Sequence, residues 1–272
     1  MRYEPLKDRL AEWLQRRPWL GGLFYIALEL LFLRNWHLRR ALRSLRARIP
    51  PEQALWVLDA GTGFGLYVRR VLRLWPQARI LALDLNERYL RSARRLLERN
   101  AARGRALWVV ADLSRFALPS ACLDLILCVD VLEHIPDDEA ALRTMAAMLR
   151  PGGRLLISTP SDQGGSGVER PGQEGFIAEH ARQGYNLAEL CERLRNLGLR
   201  IEVARYTYGL PGQWAWRLLI RWPLPHWERP WNWFWLLPYY ALALPIGLLL
   251  HWFDARLRHE RGTGLLVLAC SP

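Results

Sequence analysis

Gly61, Gly63 and Gly65 alternate at the end of an apolar run, in Leu55-Trp56-Val57-Leu58-Asp59-Ala60-Gly61-Thr62-Gly63-Phe64-Gly65. Such a run describes a buried strand that turns sharply, its backbone left bare so that a ligand can approach closely. A dinucleotide fingerprint wants G-x-G-x-x-G, and Leu66 stands where the third glycine belongs, which weakens a nicotinamide reading. A phosphate-binding loop needs Gly-Lys-Ser/Thr, and Lys7 is the only lysine in the chain, which excludes nucleoside triphosphate chemistry. Further on, Asp84 closes the run Leu81-Ala82-Leu83 at 23 positions after Gly61. A carboxylate at such a strand end can accept both hydroxyls of a ribose. Three more groups carry candidate chemistry: Asp112 with Leu113 after Trp108–Ala111, the set Asp130, Glu133 and His134 after Leu123–Val129, and His180 with Tyr185 beyond the fifth apolar run. General-base work is within reach of Asp130, His134 and His180.

These residues need strand ends to hold them, and the pattern from Leu55 onward supplies them. Strands are expected at 54–60, 78–84, 106–111, 123–129, 154–159, 199–206 and 264–270, and helices at about 66–75, 87–100, 137–149 and 187–197. Apolar strands alternating with charged helices predict an α/β, doubly wound parallel sheet of Rossmann-like type. Asn186 with Glu189 three residues on makes a capping box for the last helix, and Gly198 stops it.

The sequence Asp59-Ala60-Gly61-Thr62-Gly63-Phe64-Gly65 resembles the first motif of the class I S-adenosylmethionine-dependent methyltransferases. The stretches Leu123–Ile135 and Leu149-Arg150-Pro151-Gly152-Gly153-Arg154-Leu155-Leu156-Ile157 narrow the likeness to the subgroup of the ubiquinone and menaquinone biosynthesis methyltransferases. The resemblance covers about residues 54–205 and implies a seven-stranded sheet with the last strand antiparallel. It implies S-adenosylmethionine as cofactor, held by Asp59, Gly61, Thr62 and Gly63 around its methionine end, by Asp84 with Leu85 at the ribose, and by Asp112 with Leu113 at the adenine. Leu113 replaces a residue that is more usually small, and Asp112 has a helix-capping role as its alternative. Asp130 is expected beside both cofactor and acceptor. In some relatives a similar acid-x-x-Glu-His group holds a divalent metal; here the first acid is Asp, the preferred reading is that Glu133 and His134 shape the loop, and no metal is expected. His180 is expected to act as a base or to orient one, with Tyr185 packed on the acceptor.

The remaining segments lie outside that likeness. Residues 1–50 interleave arginines with aromatics, and the run Trp19–Leu33, too short to span a bilayer, suits a helix lying on a membrane or closing the cofactor pocket. The domain proper is expected at 51–208 and 263–272, interrupted between strands six and seven by an apolar, Trp-rich helical insertion at 209–262. From Pro230 to Phe253 the chain has no Asp, Glu, Lys or Arg. Both ends of the insertion must return to one sheet, so a single span is excluded and a re-entrant or interfacial hairpin is expected, broken at Pro238 and Pro245. An apolar lid or a homodimer seam is the alternative.

A chain of 272 residues suits one α/β domain with additions. With 38 basic residues against 26 acidic ones, a net charge of +12 and 14 tryptophans, it favours an anionic membrane surface. Cys122, Cys128, Cys191 and Cys270 lack metal-site spacing and read as reduced thiols of a cytosolic compartment. No small-residue cleavage site follows the first apolar run, so a cleaved signal peptide is not expected. No nucleic acid partner is expected, because neither an Asn/Asp-Pro-Pro-Tyr/Phe motif nor a recognition module stands in the sequence. The expectation is therefore methyl transfer to a lipid-like or membrane-dissolved acceptor at the cytoplasmic membrane face. Its rivals are a soluble small-molecule methyltransferase and a catalytically silent membrane scaffold.

Overall fold

β1 (Trp56–Ala60) is an interior strand of the sheet, and from Val57 on each of its residues is buried, as a near-continuous apolar run requires when helices cover both faces. The computed structural model describes residues 18–98, 102–116, 118–164, 184–223 and 233–272. Among the described residues the first two α-helices are α1 (Gly21–Leu31) and α2 (Leu33–Arg46). After β1 follow α3 (Leu66–Leu74), β2 (Arg79–Asp84), α4 (Glu87–Leu97), β3 (Ala106–Val110), β4 (Leu123–Val129), α5 (Asp138–Met148), β5 (Leu149–Pro160), α6 (Leu187–Asn196) and β6 (Arg200–Thr207). The insertion contributes α7 (Leu210–Trp216), which continues as a wider π-helical turn over Arg217–Arg221, and α8 (Trp233–Arg256), before β7 (Gly264–Cys270) closes the domain.

The strand order is β3-β2-β1-β4-β5-β7-β6. β7 runs antiparallel to both β5 and β6, and all seven of its residues are buried. The order reverses beside β1, with β2 on one side and β4 on the other, so the carboxyl ends of these strands frame the crevice where open α/β sheets bind ligands. Local signals agree with the pattern. Asn86 caps α4 by accepting from the Arg88 N–H, and Asn186 caps α6 by accepting from the Ala188 and Glu189 N–H groups. None of the four cysteines is paired, and Cys128, Cys191 and Cys270 are buried.

The insertion departs from the expected hairpin. Pro238 and Pro245 lie inside one continuous α8 rather than breaking it. A proline removes one helix hydrogen bond and crowds the carbonyl four residues earlier. Packing along α7 offsets that cost: the Tyr239 and Tyr240 hydroxyls donate to the carbonyls of Leu218 and Leu219, and Gly247 lets the two arms approach so closely that a Cβ there would meet Leu219 at 2.6 Å. At the root of the hairpin the fully buried Asp254 accepts from His37 Nε2 at 2.8 Å, the Gly212 N–H at 2.9 Å and the Tyr208 N–H at 3.2 Å, with His259 Nε2 at 3.3 Å. One carboxylate thus ties α8 to α2, to the start of α7 and to the end of the sheet.

Candidate active site

The glycine loop is built by three different requirements. All three glycines have positive φ, +74° at Gly61, +52° at Gly63 and +74° at Gly65, where a side chain is strained. At Gly61 a Cβ would stand 2.1 Å from Val131, and at Gly65 it would stand 2.8 Å from Leu97. Those two glycines permit close packing. At Gly63 a Cβ would meet nothing within 4 Å, so this is the position at which bare backbone faces open space.

Carboxylates hold the loop in place. Asp59 is buried and accepts from the Thr62 hydroxyl at 2.5 Å. Burial raises its pKa to about 7, nearby Asp84 adds to the rise, and the Thr62 bond opposes it. The Gly61 and Thr62 N–H groups donate to the Leu83 carbonyl at 2.8 and 2.9 Å. Asp84, at the tip of β2, accepts from the Gly63 N–H at 2.7 Å through one oxygen and from the Asn86 N–H at 2.8 Å through the other. Leu85 is exposed beside it. Asp112 stands at the same edge of the sheet beyond β3, where Ser114 donates to it through N–H at 2.9 Å and hydroxyl at 2.7 Å. These bonds hold its carboxyl below the usual range, while Leu113 turns its side chain into the core.

The β4 end behaves differently from its neighbours. Asp130 has φ +50°, donates its N–H to the Ser158 carbonyl at 2.8 Å, and forms an ion pair with Arg34 of α2. A non-glycine residue in this conformation is held there by its surroundings. Glu133 is buried and accepts from the Thr159 hydroxyl at 3.0 Å, and His134 is half-buried in the short helical turn Leu132–His134. Among the described residues no three His, Cys, Asp or Glu side chains converge as a metal-holding group. The expectation for Tyr185 is corrected: it is buried in the core, and its hydroxyl donates to Asp138 at 2.7 Å and lies 3.1 Å from the Leu132 carbonyl, so it braces the β4 turn and the start of α5 instead of facing an acceptor. His180 lies outside the described residues.

Contacts that no local pattern specified reach the site from other elements, one of them the helix expected at Trp19–Leu33 to lie on a membrane or close the cofactor pocket. Tyr25 of α1 donates its hydroxyl to the Phe64 carbonyl at 2.8 Å, and Phe24 meets the Phe64 ring edge-on at 5.3 Å. Tyr89 of α4 lies on the other side of Phe64 at 5.0 Å. α1 therefore closes over the glycine loop. Arg34 was equally hidden, one arginine among many, with no local signal of its long-range partner. A cleft of about 440 Å³, lined by Gln163, Gln213, Arg261 and Gly262, opens at the same end of the sheet. Tyr208 joins the two regions: its carbonyl accepts from Gln213 Nε2 at 3.3 Å and its hydroxyl accepts from the Arg34 N–H at 3.1 Å.

An open-faced glycine, an acid at the tip of β2 and an acid beyond β3, all along one sheet edge, suit an adenosyl ligand bearing a ribose diol. Residues 57–153 match the methyltransferase domain family. The chain is 33% identical over 169 residues to a ubiquinone biosynthesis O-methyltransferase of Xanthomonas axonopodis pv. citri, covering 59% of this chain and 69% of the relative. It is 39% identical over 121 residues to a trans-aconitate 2-methyltransferase of Azoarcus sp., covering 44% of this chain but only 45% of that protein. The fold is shared with phosphoethanolamine N-methyltransferase 2 of Haemonchus contortus, solved with S-adenosyl-L-methionine, at a TM-score of 0.58 and 19% identity over 96% of this chain and 60% of that one. The chain belongs to the class I S-adenosylmethionine-dependent methyltransferases. Its cofactor is S-adenosylmethionine.

Proposed function

We propose that this chain transfers a methyl group from S-adenosylmethionine to a lipid-like acceptor dissolved in a membrane, working from the cytoplasmic face on which the α7–α8 hairpin is seated. The observation that carries this reading is the exposed apolar length of α8: Phe234–Arg256 is long and apolar enough to cross a bilayer, and only 17% of its apolar window is buried within the protein. Leu242 and Leu249 are 73% and 55% exposed. Guanidinium groups lie over tryptophan rings along both arms, Arg217 on Trp214 at 5.2 Å and Arg256 on Trp252 at 4.0 Å. Such pairs suit the headgroup level, where the ring is half apolar and the charge meets phosphate.

The bound sulfonium supplies a methyl group already activated toward a nucleophile, which leaves alignment and exclusion of water to the protein. Asp130, held by Arg34 at the tip of β4, is assigned to orient the acceptor. His134 is the nearby base for an acceptor that must lose a proton. The cleft at Gln163, Gln213 and Arg261 suits the polar end of that acceptor, with its apolar part following the hairpin into lipid.

The test is vesicle co-sedimentation together with transfer of labelled methyl into a fractionated lipid extract, in the parent and in Leu242→Asp/Leu249→Asp. Each substitution forfeits a few tenths of a kcal/mol and adds roughly 2.5–3.5 kcal/mol at depth, so the pair should weaken membrane affinity by about 5 kcal/mol or more. Loss of vesicle binding and of lipid methylation, with cofactor binding intact, is the expected result. A second reading, a soluble enzyme of small molecules with α8 covered by another copy of the chain, draws on the likeness to a trans-aconitate methyltransferase. Unchanged vesicle association in the double variant, or a dimer that the variant splits, would favour it.

A further inference from the structure

α1 has two apolar faces, and the cofactor loop occupies only one of them. Inward, Gly21 abuts Leu96, Phe24 packs on Phe64 and Tyr25 bonds the Phe64 carbonyl. Outward, Leu23 and Ile26 of α1 are 64% and 50% exposed, and Trp19, in the short helical turn Pro18–Leu20 that leads into α1, is 77% exposed. A helix in water normally turns a polar face outward. The only charged side chain of α1, Glu29, is already engaged by Arg69 and Arg70 at 3.1 Å each.

The same helix packs against the hairpin. At its end the Leu30 carbonyl is met by His251 Nδ1 of α8 at 3.1 Å and by Trp36 Nε1 at 3.1 Å, and the Trp36 and His251 rings lie 5.8 Å apart. Beside it Arg39 lies over Trp36 at 4.8 Å, and the chain as a whole carries a net charge of +12. An exposed apolar stripe on a chain of this positive charge matches an anionic phospholipid surface.

We propose that α1 is a second bilayer-contacting element, and that its docking on anionic phospholipid closes it over the glycine loop so that the membrane tightens S-adenosylmethionine binding. The proposal rests on the membrane reading given above. A surface that binds only the closed position of α1 shifts the lid toward closure, and the coupling is reciprocal, so the cofactor must tighten vesicle binding by the same factor.

The experiment measures S-adenosylmethionine affinity by calorimetry on the full chain, without vesicles, with phosphatidylcholine vesicles and with phosphatidylcholine–phosphatidylglycerol vesicles. The expected result is a Kd lowered about 5-fold or more by the anionic vesicles alone, a factor typical of allosteric coupling. In Trp19→Ser/Leu23→Ser/Ile26→Ser, whose side chains face away from the loop, affinity without vesicles should stay at the parental value and vesicle binding through α8 should persist. The enhancement should vanish. Parent protein that sediments with anionic vesicles at an unchanged cofactor Kd overturns this proposal and leaves the membrane reading standing. Failure to sediment with vesicles at all overturns the membrane reading and this proposal with it. Full enhancement in the triple variant shows that α1 is not the coupling element and also overturns the proposal.

Discussion

Asp59 offers a sharp test of the site's electrostatics, because replacing it by Asn keeps its shape and removes its charge. The carboxyl is buried, and burial raises its pKa from 3.8 to about 7. At about 1.4 kcal/mol per pKa unit, holding it ionised above pH 7 costs the fold about 4 kcal/mol relative to an unperturbed carboxyl, taken as an order of magnitude. The sign follows from proton counting. Between the unfolded value and the folded one the native state binds the extra proton, so this group's contribution falls as pH rises from about 4 to about 7 and is level beyond. Urea unfolding of parent and Asp59→Asn should therefore give a stability difference that moves in favour of Asn by about 4 kcal/mol across that window. Taking the difference cancels other titrating groups such as His37, whose own pKa is lowered by burial. Thr62→Val deletes the bond that favours the ionised form and should move the midpoint upward. Parallel pH profiles for parent and Asp59→Asn would refute the assignment of Asp59 as a carboxyl desolvated under the glycine loop.

The other substitutions separate holding the cofactor from holding the fold. Gly63→Val should abolish S-adenosylmethionine binding in calorimetry while lowering stability by only about 1–2 kcal/mol, since its side chain would enter open space at a strained φ; Gly61→Ala, driven against Val131, should instead lower the melting temperature before binding can be measured. Asp84→Ala should lose cofactor binding and leave a folded protein by circular dichroism; parental affinity would dismiss it as the ribose acceptor. Asp254→Ala strips the acceptor from His37, Gly212 and Tyr208 and should cost about 3–5 kcal/mol, with faster proteolysis of the hairpin than of the sheet as its signature.

The doubly wound sheet was legible residue by residue because its signals are local. β4 at 123–129 and β7 at 264–270 match their apolar runs, and the glycine loop with Asp59 and Asp84 announces itself by spacing. Side-chain period and turn chemistry act over a few residues, and a run buried on both faces has few other places to go. Tertiary structure decided what depends on partners distant in sequence. Pro238 and Pro245 read as breaks, yet α8's own Tyr239, Tyr240 and Gly247, packed on Leu218 and Leu219 of the turn after α7, keep it whole. Tyr185 read as a wall of the acceptor site, yet Asp138, a residue 47 positions away, turns it into the core. Three glycines that look alike in sequence divide into two that let side chains pack and one that faces space, according to what lies opposite each. The pairing of Arg34 with Asp130 left no trace in any local pattern, and the run Trp19–Leu33, readable as a helix that closes the pocket, gave no sign that Phe24 and Tyr25 would meet Phe64. These contacts join segments that only the folded sheet brings together, and the energies that select them exist only once those segments meet.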